Sequence, residues 1–328
     1  MPEKRTHYSI IIPVYNGAEH LEACLTALVN QDYPRDLYEI LVVNDGSTDG
    51  SPEIAARFPV RLVHLPSNQG RIAARNAGAE AAAQDTLVFN DVRVVPEREY
   101  LKKADIRNYQ PLMPGIEEEG IARWGFPRFF YLLRCRLYHP YYPLDGSPVE
   151  VFIRDENFDT IPKGTGCFVC SRDLWLQCQP ESADKTMSDD TRILREIVNQ
   201  KPILRTTVVR ASYSQRREGS AVLSHLFQRG PLFADYYLRK GDRYRNLYGL
   251  IWLFIGLMIT VSLLFPAVSV ALPGGLLLVF LAAILYLSRT WTDPFVVSLC
   301  LPAVVLSFGF GILKWQVTEW IRGKRSRL

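Results

Sequence analysis

The stretch Tyr38-Glu39-Ile40-Leu41-Val42-Val43-Asn44-Asp45-Gly46-Ser47-Thr48-Asp49-Gly50 decides the fold. Its run Ile40 to Val43 is short, continuous and largely β-branched, and polar turn residues follow it. That pattern predicts a strand buried on both faces, as in the middle of a parallel sheet. Ligands of open parallel sheets bind where the strands end at their carboxyl side. Asp45 stands at that end, where a carboxylate can accept hydrogen bonds from a nucleobase or ribose. Gly46 allows a sharp turn beside such a ligand. Asp-Gly is also a common plain turn pair, so the neighbouring segments have to decide between the two.

They alternate in kind. Tyr8 to Val14 is a second buried-strand pattern, ending in Tyr15-Asn16-Gly17, and Leu21, Cys24, Leu25 and Leu28 then recur at helical spacing. Val60 to Leu65 predicts a third strand, Asn68 to Ala83 an alanine-rich helix carrying Arg71, Arg75 and Asn76, and Thr86 to Phe89 a fourth strand ending in Asn90-Asp91. Strands alternating with helices imply an α/β fold with a mostly parallel sheet. The strand ends then bring Tyr15, Asp45 and Asp91 to one edge.

Pro13-Val14-Tyr15-Asn16, Asn44-Asp45-Gly46-Ser47-Thr48-Asp49 and Asn68-Gln69-Gly70 through Arg75-Asn76-Ala77-Gly78 stand in order and spacing that resemble glycosyltransferase family 2. The resemblance covers about residues 7 to 240 and implies a GT-A nucleotide-sugar-binding domain. By that resemblance, Pro13, Tyr15, Asn16, Asp45 and Gly46 hold the nucleotide of a sugar donor, while Arg71 and Arg75 reach its diphosphate. The family's Asp-x-Asp motif would bind ribose and Mg²⁺ or Mn²⁺. Here the run is Phe89-Asn90-Asp91-Val92-Arg93, which leaves Asp91 as the metal carboxylate. Either Phe89 or, with a one-residue shortening, Asn90 falls at the first acid. Ile161 to Ser171 resembles the acceptor-side strand, with Gly164 and Gly166 admitting a sugar ring close to backbone. The pair Asp189-Asp190 falls where the family carries its catalytic acids, and the general base maps to Asp190. Ser188 is a suitable N-cap for the helix that follows to about Asn199. Of the Gln-x-x-Arg-Trp motif of processive members, only Arg229 is present, with Leu226 and Gly230 at the outer positions. That implies a non-processive enzyme with Arg229 near the donor.

The 328 residues are 48% hydrophobic with a net charge of only +4, so no nucleic-acid partner is indicated. The charge is uneven: residues 246–288 and 294–313 contain no Asp, Glu, Lys, Arg or His. The first run is roughly twice the length needed to cross a ~30 Å hydrocarbon core, and Pro266 and Pro273-Gly274-Gly275 offer breaks. Three membrane segments are therefore expected at about 247–265, 274–288 and 294–313. They divide the chain into a GT-A domain at 1–215, an amphipathic interfacial linker at 216–245, membrane segments at 246–313 and a basic tail at 314–328. The clusters Arg239–Arg245 and Lys314–Arg327 both favour the cytoplasmic side. Three crossings cannot place both there, so either the short 274–288 segment is re-entrant or the tail breaks the rule. Arg123 to Tyr142 interleaves arginines with aromatics, which suits a helix in the membrane interface. Cys167 and Cys170 form a CxxC without a second pair, and buried thiols usually act as small apolar residues. The N-terminus enters a strand within about eight residues, so no signal peptide is expected.

Together these features describe an integral inner-membrane enzyme with its catalytic domain in the cytoplasm. It would be an inverting, non-processive transferase moving a sugar from a nucleotide-sugar donor to a hydroxyl of a lipid-linked glycan. Two alternatives stay open: a polyprenyl-phosphate glycosyltransferase, whose acceptor is already ionised and needs no base, and a catalytically degenerate domain that binds nucleotide as a membrane scaffold.

Overall fold

The computed structural model describes residues 5–118, 123–142, 147–179, 189–214, 218–238 and 266–325, with a few helical positions between 246 and 260. These fall into two compact units. The first takes in residues 1–120, 138–185 and 189–215, and the second 121–137, 186–188 and 216–328.

The first unit is built on a nine-stranded sheet. Its strands are β1 (Tyr8–Val14), β2 (Tyr38–Asn44), β3 (Arg61–His64), β4 (Thr86–Asn90), β5 (Val94–Pro96), β6 (Leu112–Glu118), β7 (Glu150–Ile153), β8 (Cys167–Ser171) and β9 (Ile203–Tyr213). They run in the order β3-β2-β1-β4-β8-β6-β9-β5, with β7 also on β9. The pairs β1/β2, β1/β4, β2/β3 and β6/β9 are parallel, whereas β8 joins β4 and β6 in antiparallel fashion. The expected α/β topology thus holds through the first four strands, and the later strands extend it as a mixed sheet.

Burial follows the sequence pattern. Ile40 to Val43 and Ile10 to Ile12 are almost fully buried, being covered on both faces. Pro13 is tolerated within β1 because the pairing to β4 stops at Ile11, so the missing N–H is not needed on that side. The helices α1 (Ala18–Val29), α2 (Ser51–Ala55), α3 (Arg71–Ala81) and α4 (Tyr100–Arg107) fill the connections between these strands. Leu21, Cys24, Leu25 and Leu28 are all buried in the main core, the α1 stripe that the spacing predicts. On α3, Gly78 faces β1 so closely that a Cβ there would overlap the Ile11 side chain and stand 3.1 Å from Val43 Cγ2.

In the second unit, α5 (Gly125–Leu137) packs Phe129 and Leu132 against Ile284, Leu287, Val296, Val297 and Cys300. Those partners lie on the last two helices, α9 (Pro266–Leu287) and α10 (Asp293–Arg325). Arg128 is not a lipid-facing cation: its Nε and Nη2 donate to the two Asp293 oxygens at 2.8 and 3.0 Å. Two intervening helices of the first unit, α6 (Arg172–Gln177) and α7 (Asp189–Gln200), come before α8 (Gly219–Tyr237) in the chain. Helix α8 crosses α10 backbone to backbone at Gly230 and Gly311, where a Cβ on Gly230 would come 2.5 Å from the Phe308 carbonyl. A tryptophan at residue 230 would not fit there.

Helix α9 starts at Pro266 and its backbone stays helical through Pro273-Gly274-Gly275, so those residues do not make the break expected at 274. Proline suits the first helical position because its fixed φ is already helical. Asp293–Ile321 is long and apolar enough to cross a membrane, and is the one such helix among the described residues. Most of 247–265, the cluster at 239–245 and the last three residues of the tail lie outside the described residues.

Helix propensity alone makes Gly78→Ala stabilising by about 1 kcal/mol. The contact with Ile11 reverses the sign: overpacking should cost ~1–3 kcal/mol. Denaturant unfolding of the full chain in detergent should show the midpoint falling.

Candidate functional site

The carboxyl ends of β1, β2 and β4 carry Tyr15-Asn16, Asp45-Gly46 and Asp91, as the strand pattern predicts. The β1 turn is locked from outside itself. Asn16, at φ 48°, accepts Thr48 N–H on Oδ1 at 2.8 Å, and its own N–H donates to Ser47 Oγ at 3.1 Å. Asp49 Oδ2 accepts the Ala18 N–H at the start of α1. Tyr15 is left half exposed, so its ring can receive a flat ligand.

Asp45 is only 3% exposed, and both its oxygens bind backbone: Gln69 N–H at 2.6 Å and Gly70 N–H at 2.9 Å. It therefore ties the end of β2 to the loop that opens α3. Gly46, at φ 69°, is required for the same reason. A Cβ there would lie 2.7–2.8 Å from the Ser67 and Asn68 backbone. The crowding at Gly46 comes from this chain's own loop.

That loop delivers α3, whose first turns carry Arg71 and Arg75. Arg75 is fully buried. Its Nη2 donates to Asp91 Oδ1 at 2.7 Å and to the Thr165 carbonyl at 3.0 Å. Its Nη1 donates to Asp190 Oδ1 at 2.9 Å and to Thr165 Oγ1 at 2.5 Å. Arg71, with its side chain 43% exposed, faces the other oxygen of each acid. Its Nη2 lies 2.9 Å from Asp190 Oδ2 and its Nη1 3.6 Å from Asp91 Oδ2. Two carboxylates and two guanidiniums thus alternate in one cluster. Residues from α3, the end of β4, the loop before β8 and the start of α7 meet there. Arg75 is thus paired structurally, beside Asp91 at the carboxyl end of β4.

Asn90 takes no part. It is fully buried on the other side of β4, where its Nδ2 donates to the Val94 and Asp91 carbonyls at 2.9 and 3.1 Å. Successive residues of a strand face opposite ways, so Asp91 at the site puts Asn90 in the core. The second carboxylate beside Asp91 comes instead from Asp190, ninety-nine positions further on. Thr165, with its hydroxyl and carbonyl on Arg75, was not visible in sequence: a threonine between two glycines gives no sign of a buried guanidinium partner.

Gly166 approaches Asp91 closely. Its carbonyl accepts Asp91 N–H at 2.8 Å, and a Cβ would stand 3.2 Å from Asp91 Oδ2. Gly164 opens onto free space. Beside them Lys163 packs over the Phe158 ring, and burial pulls its pKa down to about 8. Asp189 opens α7 next to Asp190, but its side chain and the proposed cap Ser188 lie outside the described residues. Arg229 belongs to α8 of the second unit, with His225 as a neighbour at 3.4 Å. Cys167 and Cys170 are both buried on β8. Cys167 contacts Tyr100 Oη at 3.2 Å, and burial raises its pKa to about 12, which suits an inert thiol.

Among the described residues no three His, Cys, Asp or Glu side chains converge as a closed metal cage. The donor set nevertheless fits a magnesium-like ion. Such ions are held by one or two carboxylates together with substrate phosphates and water, and Asp91 and Asp190 turn their Oδ2 atoms toward the same guanidinium.

Residues 9–104 match the model of Glycosyl transferase family 2, and the chain therefore carries a family 2 glycosyltransferase domain. Among curated relatives, glycosyltransferase AglE of Haloferax volcanii is 42% identical over 100 residues, covering 29% of this chain and 33% of the relative. The dolichyl N-acetyl-alpha-D-glucosaminyl phosphate 3-beta-D-2,3-diacetamido-2,3-dideoxy-beta-D-glucuronosyltransferase of Methanococcus voltae is 32% identical over 123 residues, covering 36% of this chain and 37% of the relative. The matched stretch spans only a quarter to a third of the length of the first curated relatives. Among solved structures, mannosyltransferase PcManGT from Pyrobaculum calidifontis, in complex with GDP-Man and Mn²⁺, aligns over 95% of this chain and 88% of its own, with a TM-score of 0.59 at 20% identity. That likeness shows a common GT-A fold.

Thr165→Val should leave one buried Arg75 N–H without its acceptor, at a cost of ~1–3 kcal/mol. Thermal unfolding should record the loss, and Thr165→Ser should restore most of it.

Proposed function

We propose that the chain is an inverting, non-processive glycosyltransferase that uses a nucleotide-sugar donor and a lipid-linked acceptor. The observation that carries this reading is the alternating cluster of Arg71, Asp91, Arg75 and Asp190 at the ends of the parallel strands. A sugar nucleotide needs a cleft for its base, cations for its diphosphate and a proton acceptor for the attacking group. Tyr15, Asn16, Asp45 and the Pro13 turn line the first, with Gly46 shaping the turn. Arg71 and Arg75 supply positive charge beside it, and Arg229 is assigned to the donor side by resemblance alone. Gly164 leaves room on the acceptor side, whereas the missing side chain of Gly166 makes room for Asp91.

In the reaction, a hydroxyl oxygen of the acceptor attacks the anomeric carbon as the bond from that carbon to the diphosphate oxygen breaks. The proton passes to Asp190, and the nucleoside diphosphate departs with the bonding electrons. Asp190 Oδ1 accepts from Arg75 and Oδ2 pairs with Arg71 at 2.9 Å, and a carboxylate has about four lone-pair sites with which to meet a proton as well as these donors. Mg²⁺ or Mn²⁺ would be held by Asp91 and would neutralise charge on the leaving diphosphate. PcManGT is described with Mn²⁺, which supports divalent dependence here.

The lipid-linked acceptor is supported by the name of the Methanococcus relative, which acts on a dolichyl-linked sugar phosphate. The apolar helix Asp293–Ile321 supports a membrane anchor, since Phe295, Leu299, Val305, Leu306 and Phe310 are exposed along it. We place the membrane as the inner membrane and the GT-A domain on its cytoplasmic face.

A phosphate acceptor is the second reading. The two guanidinium contacts on Asp190 favour it, because an acceptor already ionised needs no base. The variant Asp190→Asn separates the two. We expect donor-nucleotide affinity to be kept and transfer of radiolabelled sugar into lipid extract to fall by about 10²–10⁴. Asp189→Asn should be milder. Unchanged transfer in Asp190→Asn favours the phosphate acceptor. Tight nucleotide binding without transfer by the wild-type chain, for any donor, favours a scaffold. Divalent dependence is checked in the same assay: excess EDTA should abolish turnover, and Asp91→Ala should match it.

A further inference from the structure

The two arginines of the cluster are not equivalent. Arg75 is fully buried and holds the inner oxygen, Oδ1, of both Asp91 and Asp190. It also makes two contacts to Thr165. Arg71 is 43% exposed and holds the outer oxygen, Oδ2, of the same two acids, at 3.6 and 2.9 Å. The inner arginine is fixed by four hydrogen bonds, and the outer one stands at the solvent boundary.

The outer oxygen of Asp91 is also where a divalent cation would be received. A guanidinium and a dication cannot share it, because like charges at such separations repel strongly away from bulk water. With Arg71 in place, two carboxylates and two guanidiniums sum to zero. With Arg71 withdrawn and a dication present, the cluster carries one net positive charge, which suits a diphosphate. Arg71 withdrawn from both acids has that same diphosphate as its natural new partner, since guanidinium pairs with phosphate oxygens in a fork.

We infer that Arg71 is a gating residue: it competes with the divalent cation for Asp91 and covers Asp190, and donor binding draws it onto the diphosphate, freeing both. The inference rests on the donor reading proposed above and adds an order to it. Cation and nucleoside diphosphate should each promote the other's binding, beyond any direct bond between them. Asp190 should lose its Arg71 contact only once the donor is seated, so an acceptor hydroxyl meets its base fully uncovered by Arg71 only in a loaded site.

The test measures free Mn²⁺ by its paramagnetic resonance signal, with full-length protein in detergent and no nucleotide. Arg71→Met keeps the length of the side chain and removes its charge. Couplings of this kind typically lie at about 5- to 150-fold, and we expect Mn²⁺ to bind ~10-fold more tightly to the variant than to wild type. Adding Asp91→Asn to Arg71→Met should remove that gain. UDP or GDP, tested separately by calorimetry without metal, should bind more weakly to Arg71→Met than to wild type. If circular dichroism shows Arg71→Met to be misfolded, Arg71→Lys takes its place. It keeps the charge but cannot bridge both oxygens, and its Mn²⁺ affinity should lie above wild type. Equal or weaker Mn²⁺ binding by a folded variant overturns the gate, and the donor reading then survives if wild type binds UDP or GDP with Mn²⁺. If wild type binds neither nucleotide with or without Mn²⁺, the donor reading fails and takes the gate with it.

Discussion

The buried guanidinium of Arg75 is the constraint on which the rest of the site depends. A charge taken fully out of water is costly unless every face of it is paired. Arg75 meets most of that demand by pairing Nη1 and Nη2 with Asp91, Asp190 and both polar atoms of Thr165, while its buried Nε finds no hydrogen-bond partner among the described residues. These partners come from three separate stretches of chain, so satisfying one side chain fixes the end of β4, the loop before β8 and the start of α7 relative to α3. Removing one partner of such a buried pair typically costs about 3–5 kcal/mol, because the other charge is stranded. The cluster is therefore a structural clamp as well as a place for chemistry.

Arg75 can reach its partners only because α3 is brought in close. Gly78 lets the helix lie against β1, Gly46 lets the 67–70 loop pass over the end of β2, and Asp45 pins that loop through two backbone N–H groups. The motif residues thus do two jobs. Asp45 and Gly46 stand at the expected nucleotide edge, and they also set the position of the helix that carries both arginines. A substitution at either would disturb the diphosphate side as well as the nucleotide edge. The second unit uses the same device elsewhere. Gly230 and Gly311 allow α8 and α10 to cross at backbone distance, and the Arg128–Asp293 pair binds α5 to the start of α10.

Much of this was legible in the chain. Continuous β-branched runs gave β1, β2 and β4, because strands covered on both faces have no polar side to show. The α1 stripe and the ends at Tyr15, Asp45 and Asp91 followed from periodicity. What sequence could not show was long-range pairing. Asp91 looked like a lone carboxylate because its companion, Asp190, lies far along the chain and arrives through α7. Asn90 looked like a ligand residue by its place in a motif, yet strand alternation turns it into the core. Thr165 carries no local signal at all. At the C-terminal end, Pro273-Gly274-Gly275 suggested a break by composition, but the backbone of α9 continues through it. Arg128, one of several arginines among aromatics, suited a membrane interface until Asp293 was found beside it.

If this cluster is the active centre of a nucleotide-sugar transferase, donor cleavage and sugar transfer go together. The most direct measurement incubates the full-length protein, in detergent and with Mn²⁺, with a panel of UDP-, GDP- and dTDP-sugars and a membrane lipid extract. Nucleoside diphosphate release and sugar incorporation into lipid are followed together. One donor class should give both signals in equal amounts, and both should require the lipid extract. Nucleoside diphosphate released without incorporation would make the site a hydrolase, and neither signal from any donor would contradict the account.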